Sequence, residues 1–291
     1  AGMIGGGYYL YRHQKSLVAE TAEELVETEV TSEASYYKNI ENVYGLLNVE
    51  QIEMEFGYSL IPLADESNGG NFIDRVVMFR KQMALDMGFV IPSVRIKDSG
   101  QLNPNQYSIL LKGEEVARGD ILMDHYLALP PGTDADDVPG IDTIDPAFHI
   151  PAKWISEDRK IQAELAGYTL IDPTSVVITH LSEVVKEHLH ELLNRQEVNN
   201  LLEALKKTNS SIVEDTIPSV ISVGGLQKVL ANLLREEIPI RDMETIVETL
   251  GDYGSQVKDT DMLTEYVRQA LKRTISRRFS EAGQMKKSEA K

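Results

Sequence analysis

The 291 residues suffice for two or three compact units, and a formal net charge of -17 describes an acidic body that repels phosphate backbones, so nucleic acid is not an expected partner. There is no cysteine, which excludes disulfides, thiolate metal sites and cysteine nucleophiles. Only the stretch from Glu265 to Lys291 is basic, with eight basic residues to three acidic ones; Arg268, Lys272, Arg273, Arg277 and Arg278 read as the solvated face and C-terminal charges of one helix.

In chain order, an apolar run rich in glycine and tyrosine, Ala1 to Tyr11, meets Arg12-His13-Gln14-Lys15. Eleven residues are too few to cross a bilayer, which takes about 20. The pattern fits the cytoplasmic end of a membrane span over 1–15, although a loose tail has the same composition. Residues 16–48 read as an acidic linker, with seven glutamates against Lys38 as its one lysine up to residue 45.

From Val49 the pattern predicts an α/β unit. Val49, Ile52, Met54 and Phe56 predict a strand, Gly57-Tyr58 a bend, and Leu60-Ile61-Pro62 a second extended piece. Asn71 is placed to cap a helix with Ile73, Val76, Val77, Met83, Ala84 and Met87 on one face and Gly88 as its stop. Val94 to Lys97 reads as a strand, and Gln106–Leu111 with Glu115–Ile121 as a hairpin through Lys112-Gly113-Glu114.

Residues 123–172 differ in character. Asp124, Asp134, Asp136, Asp137, Asp142 and Asp145, with several proline and glycine breakers, predict short β pieces and turns inserted into the first unit. The chain then returns through a spine: Tyr168 to Ile171 as a strand, Asp172 as N-cap, Pro173 in the first helical position, and apolar residues at helical period from Val177 to Leu193. Such a helix would span about 30 Å and complete the interrupted core. The α/β subdomain is thus expected over 49–122 with 173–195, the β-rich insertion over 123–172, and a helical subdomain over 196–280. The last has four helices, on Val198–Leu205, Leu226–Leu234, Met243–Leu250 stopped by Gly251, and Met262–Leu271. A tail, 281–291, follows. The class is α+β with several subdomains, and relative motion is expected at Leu122-Met123, Ile171-Asp172 and Asn194–Glu197.

No glycine-rich phosphate loop and no nucleophile elbow is present. His180, His188 and His190 lie on the spine at spacings that zinc sites rarely use, and Asp134, Asp136 and Asp137 lack the glycine and glutamate of a calcium loop. A binding protein is favoured over an enzyme, with no catalytic residue, metal or cofactor assigned. Asp145-Pro-Ala-Phe148-His-Ile-Pro151, with Trp154, holds an aromatic between prolines near the start of the spine and reads as a docking dimple. The opposing view makes Phe148 and Trp154 the core of the insertion.

The runs Phe56-Gly-Tyr-Ser-Leu-Ile-Pro62, Asp74-Arg75 with Arg80-Lys81, Gly88-Phe89-Val90, Val94-Arg-Ile-Lys-Asp98, Ile109-Leu-Leu-Lys-Gly113, Asp145-Pro-Ala-Phe148, Ala163 to Glu197 and Ile240-Arg-Asp242 resemble the cytoplasmic domain of the FHIPEP family. These are the export-gate proteins of flagella and of virulence type III secretion systems. The likeness covers about 49–275. It implies a non-enzymatic docking platform on the cytoplasmic side of the cell membrane, self-associating as a nonameric ring in the full membrane protein. Its partners would be flagellar export chaperones with their cargo and soluble components of the export ATPase complex. The chaperone-binding positions it implies are Asp145, Phe148 and Thr179, with Pro131, Ile171 and Val176 as walls, and Gly57 as a hinge-like or tightly packed position. The family's membrane half and its fourth cytoplasmic subdomain have no counterpart among the predicted elements, so the chain reads as a fragment. Two readings compete with this one. A hydrolase or metal-dependent enzyme would use the acidic loop and the spine histidines, and DNA binding through the helical region is disfavoured by charge.

Overall fold

The computed structural model describes residues 35–36, 38–45, 47–132, 137–278 and 280. The segment 1–15, most of the acidic linker, Asp134, Asp136 and the tail 281–291 lie outside the described residues. Two units are distinguished, 1–50 and 51–291. The first contributes a short helix, α1 (Ile40–Gly45). All that follows concerns the second.

β1 (Ile52–Phe56) alternates buried Ile52, Met54 and Phe56 with half-buried Glu53 and Glu55, the period-two pattern of a strand with one face in the core. It is an inner strand of a four-stranded sheet ordered β2-β1-β3-β4. β2 (Val94–Asp98) runs parallel to it, β3 (Gln106–Leu111) antiparallel, and β4 (Glu114–Asp120) completes a hairpin with β3. Lys112 and Gly113 both take positive φ, 53° and 84°, as a two-residue hairpin turn requires. Leu60-Ile61-Pro62 is helical rather than extended: a 3-10 turn, Tyr58–Leu60, leads into α2 (Ile61–Ala64). Pro62 falls in its first turn, where the missing N–H has no intrahelical partner to lose.

α3 (Phe72–Met87) carries the chain from β1 to β2 and ends at Gly88, φ 73°, as predicted. Its buried face differs from expectation: Phe72, Val76, Phe79, Met83 and Met87 point inward, while Ile73 and Val77 are exposed. The two phenylalanines have the larger apolar surface and set the rotation of the helix.

The spine begins as its sequence predicts. In α5 (Pro173–Glu187) the Asp172 carboxylate accepts the Ser175 N–H at 3.0 Å. It is shorter than expected, about 22 Å, because the helix breaks at His188. That carbonyl accepts N–H groups from both Glu191 and Leu192 as α6 (Leu189–Leu192) starts afresh, and Leu189, Leu192 and Leu193 are buried. Val177, Leu181, Val184 and Val185 of α5 join the core formed by β1, β3 and α3.

Residues 125–171 form a second four-stranded sheet, entirely antiparallel, ordered β6-β7-β5-β8. Its strands are β5 (His125–Leu129), β6 (Ile141–Ile144), β7 (Pro151–Ser156) and β8 (Thr169–Ile171). The segment also makes a helix that the sequence reading omitted, α4 (Lys160–Leu165), through buried Ala163. Neighbouring residues face opposite ways: Ala128, Ile155, Val138, Ala163 and Tyr168 make a small core of their own, whereas Leu127, Ala152 and Trp154 enter the main core.

The remaining helices are α7 (Arg195–Lys206), α8 (Ser210–Thr216), α9 (Val223–Arg235), α10 (Met243–Tyr253) and α11 (Thr260–Ala270), with 272–278 helical as well. α8 is an addition to the four expected. Gly251 does not stop α10; a Cβ there would come 2.9 Å from Thr216 Oγ1, so glycine admits the close approach of α8. In α11 the buried stripe is Leu263 and Val267, continued by Leu271 just past its end, and Met262 is exposed. Part of the basic surface is neutralised internally, Arg268 pairing with Glu236 and Arg278 with Glu237, the latter at 3.0 Å.

Candidate functional site

The turn between β6 and β7 is built by Asp145. Its N–H donates to the Ile150 carbonyl at 2.9 Å, its own carbonyl accepts from His149 N–H at 2.9 Å, and its Oδ1 accepts from the N–H groups of Ala147 and Phe148, each at 2.8 Å. Pro146 fixes the next φ, and His149 closes the turn at φ 58°. Asp145 is thereby only 3% exposed, while Phe148 stands 54% exposed. Ile141 and Ile144 at the two ends of β6, and Ile150 after the turn, are exposed too. Trp154 is 4% exposed, so the two aromatics of the segment divide the roles: Trp154 is core and Phe148 is surface.

On the spine, Thr179 is half-buried and His180 buried. His180 Nδ1 lies 2.7 Å from the hydroxyl of Tyr107, a fully buried residue of β3. Gly119 on β4 leaves room for that ring, since a Cβ there would stand 2.5 Å from the hydroxyl. Burial raises the Tyr107 pKa, and the Asp145 charge adds to the effect. Burial holds His180 below the usual imidazole range, His149 acts in the same sense, and Asp145 opposes them. Asp145 and His149 therefore sit within electrostatic reach of His180, the residue after Thr179.

Of the other implied positions, Val176 is buried in the main core rather than open as the wall of a pocket. Ile171 is half-buried, paired with Leu127 between β8 and β5. Pro131 is exposed beside Gly167, where a Cβ would lie 3.3 Å from its Cγ. Gly57 has an ordinary φ of -63°, and its need is space: a Cβ would meet the Asn103 carbonyl oxygen at 2.1 Å and that of Pro104 at 2.6 Å. Sequence reasoning missed the Tyr107–His180 link, whose partners are 73 residues apart. It also missed the exposed isoleucines of the same segment, which were visible as the large apolar residues of an aspartate-rich stretch.

The spine histidines do not converge. His188 Nδ1 bonds Glu191 at 2.8 Å while His180 faces Tyr107, and among the described residues no group of three or more His, Cys, Asp or Glu side chains is arranged to hold a metal. Asp137 and Asp142 flank Lys153, the latter at 3.6 Å. A cleft of about 540 Å³ lined by Met83, Met87, Leu189, Pro239, Arg241 and Arg278 involves none of the implied docking residues. Phe148 stands exposed at the surface, as an aromatic that a macromolecular contact covers would. No helix among the described residues is long and apolar enough to cross a membrane.

The chain is similar to known proteins along its whole length. The FHIPEP family matches residues 1–288. The flagellar biosynthesis protein FlhA of Bacillus subtilis is 48% identical over 288 residues, which is 99% of this chain and 42% of that protein, so the chain spans less than half of that relative. Among solved structures, the Chlamydia pneumoniae CdsV protein is similar with a TM-score of 0.71 at 30% identity, over 80% of this chain and 68% of that one. The complex of CdsV with CdsO gives 0.71 at 29%, over 80% and 73%. Across both sheets, the spine and the helices that follow, the chain belongs to the FHIPEP family.

Proposed function

We propose that this chain is a docking domain of a protein-export apparatus of the flagellar and type III secretion kind, and that the Phe148 turn receives chaperone–substrate complexes. The observation that carries this reading is an exposed aromatic on a turn fixed by four hydrogen bonds, in a segment that also leaves Ile144 and Ile150, on either side of the turn, exposed. The family and its flagellar relative set the system in which such a patch would work. A solved CdsV–CdsO complex is a precedent for a protein partner on this fold. To the same reading belong a non-catalytic role, docking of soluble export components, a place on the cytoplasmic face of the cell membrane and self-association as a nonameric ring. The division into an α/β subdomain with a β-rich insertion over 123–172 and a helical subdomain over 196–280 belongs to it as well.

Calorimetric titration with a flagellar export chaperone, bare and cargo-loaded, tests the docking surface. Phe148→Ala is expected to weaken binding about thirtyfold, the loss of about 2 kcal/mol typical of a central aromatic contact, with the melting temperature unchanged. Thr179→Met, which crowds the half-buried spine position, weakens it in the same direction. His188→Ala keeps the parent affinity. Parent-like binding by Phe148→Ala, or its unfolding, overturns the reading.

A further inference from the structure

Tyr107 from β3 and His180 from the spine form a buried titratable pair that docking leaves unused. They are 0% and 5% exposed, with the phenol oxygen 2.7 Å from Nδ1 and the rings edge to face, centroids 5.7 Å apart. The bond has a direction. Among the described residues no other group bonds that hydroxyl, so its hydrogen takes Nδ1 as acceptor and the imidazole carries its own proton on Nε2. Protonating the imidazole would put a second hydrogen on Nδ1, facing the phenol's. The phenol would have to turn its hydrogen away from its one acceptor, leaving a buried donor unpaired. Its ring has no room to swing towards β4, because a Cβ on Gly119 would already stand 2.5 Å from the hydroxyl.

The surroundings act in the same sense. Burial holds the imidazole below its usual range, His149 adds to this, and the Asp145 carboxylate opposes both. Asp145 also acts on the phenol, together with Asp120 of β4. Charged and titratable groups on the other elements packed against the spine are engaged elsewhere. On α3, Arg75 meets Ser175 and, at 3.6 Å, Asp172, while Arg80 donates to the Ile91 carbonyl. On β5, the Tyr126 hydroxyl accepts from Lys160 at 3.2 Å and His125 acts on Asp158. On the spine itself Glu183 pairs with Lys186.

We propose that the Tyr107–His180 pair is a proton-sensitive fastener, holding the spine on the first sheet while the imidazole is neutral and loosening it once the imidazole is protonated. This goes beyond the docking reading and does not depend on it. A buried neutral imidazole takes up its proton on release, so the fastening is complete above about pH 6.5, the value of a free imidazole, and weakens as pH falls through that value. Between about pH 7.5 and about pH 5.5, one such group raises the opening equilibrium by at most about tenfold.

The test uses the whole chain. NMR of isotope-labelled histidine should show His180 with its proton on Nε2 at the higher pH and titrating below the free imidazole. Amide exchange over residues 174–187, corrected for the chemical pH dependence of exchange, should quicken several-fold towards that tenfold limit at the lower pH, and amides of α9 and α10 should not share the increase. His180→Asn offers an acceptor near the place of Nδ1 and does not titrate, so the excess quickening should vanish. Tyr107→Phe removes the opposing hydrogen, and the His180 titration should move up towards the free value. The proposal is wrong if Nδ1 carries the proton at the higher pH, if His180 titrates at or above the free value, or if the spine amides fail to quicken or quicken no more than those of α9 and α10. It is equally wrong if His180→Asn keeps the parent's pH dependence or Tyr107→Phe leaves the titration unmoved. Should a variant fail to fold, the outcomes read on the parent protein decide alone.

Discussion

In the first sheet, inner strands β1 and β3 place Ile52, Met54, Phe56, Tyr107 and Ile109 at 1% exposure or less beneath α3 and α5. In the second, edge strand β6 leaves Ile141 and Ile144 at 54% and 63%, and the sheet's private core is five residues. Both sheets have four strands, so the difference lies in what covers them. The spine and α3, distant in sequence, both close over the first sheet. The second lends one face to that same core through Leu127, Ala152 and Trp154 and, among the described residues, covers its other face with α4 and the loop carrying Val138. Apolar side chains left out of a core add little to folding and remain free for a partner. The comparison therefore separates a sheet covered on its apolar face, the first, from one whose rim keeps apolar side chains exposed, the second, and it is this rim that the proposed function uses.

The largest expected effect tests the stability side. Phe56 packs edge-to-face on Phe72 with centroids 5.2 Å apart, and Phe56→Ala should lower the unfolding free energy by about 3–5 kcal/mol, read from urea denaturation. Chaperone affinity of the folded fraction should hold. A loss below about 1 kcal/mol would mean that the first sheet is not the stable half.

A smaller effect tests the seam between the sheets, where β8 hands the chain to the spine. Burial pushes the Asp172 carboxyl up, but bonds from the Ser175 hydroxyl and N–H, with Arg75 at 3.6 Å, outweigh it and hold the group below the usual aspartate range. A depressed pKa contributes stability that is present above the unfolded value, about 4, and is lost as pH falls through the folded value. Asp172→Ala should cost about 1 kcal/mol at neutral pH. The gap to the parent should narrow in acid, and a gap that widens below pH 4 would contradict the assignment.

How much of this was legible follows from the range of each cause. The alternation of β1, the Lys112-Gly113 turn and the Asp172-Pro173 start of the spine are local and stood in the sequence. The face of α3 did not, because Phe72 and Phe79 settle it against a sheet whose strands lie elsewhere in the chain. The spine's break at His188 carries no glycine or proline to announce it. At the site, Phe148 was visible between prolines, and Thr179 came only through family likeness, since a half-buried threonine on a helix has no local signature. That Asp145 and Val176 would be buried depends on how the second sheet packs on the spine, which no window of sequence contains.

The smallest stability effect is the sharpest test of the division. Ile144 is the last residue of β6, opposite Pro151, whose ring offers no N–H to a ladder, and its side chain is mostly in solvent. Ile144→Ser should therefore change the unfolding free energy by no more than about 0.5 kcal/mol, the usual range for surface positions. If the rim around Phe148 is the docking surface, the same substitution removes apolar area that the partner would cover, and affinity should fall about threefold to tenfold. The two measurements are made on one sample, by denaturation and by titration with cargo-loaded chaperone. A variant that loses stability but keeps affinity would place Ile144 with the core residues and erase the distinction between the two sheets; unchanged affinity with unchanged stability would confine recognition to Phe148 and the spine.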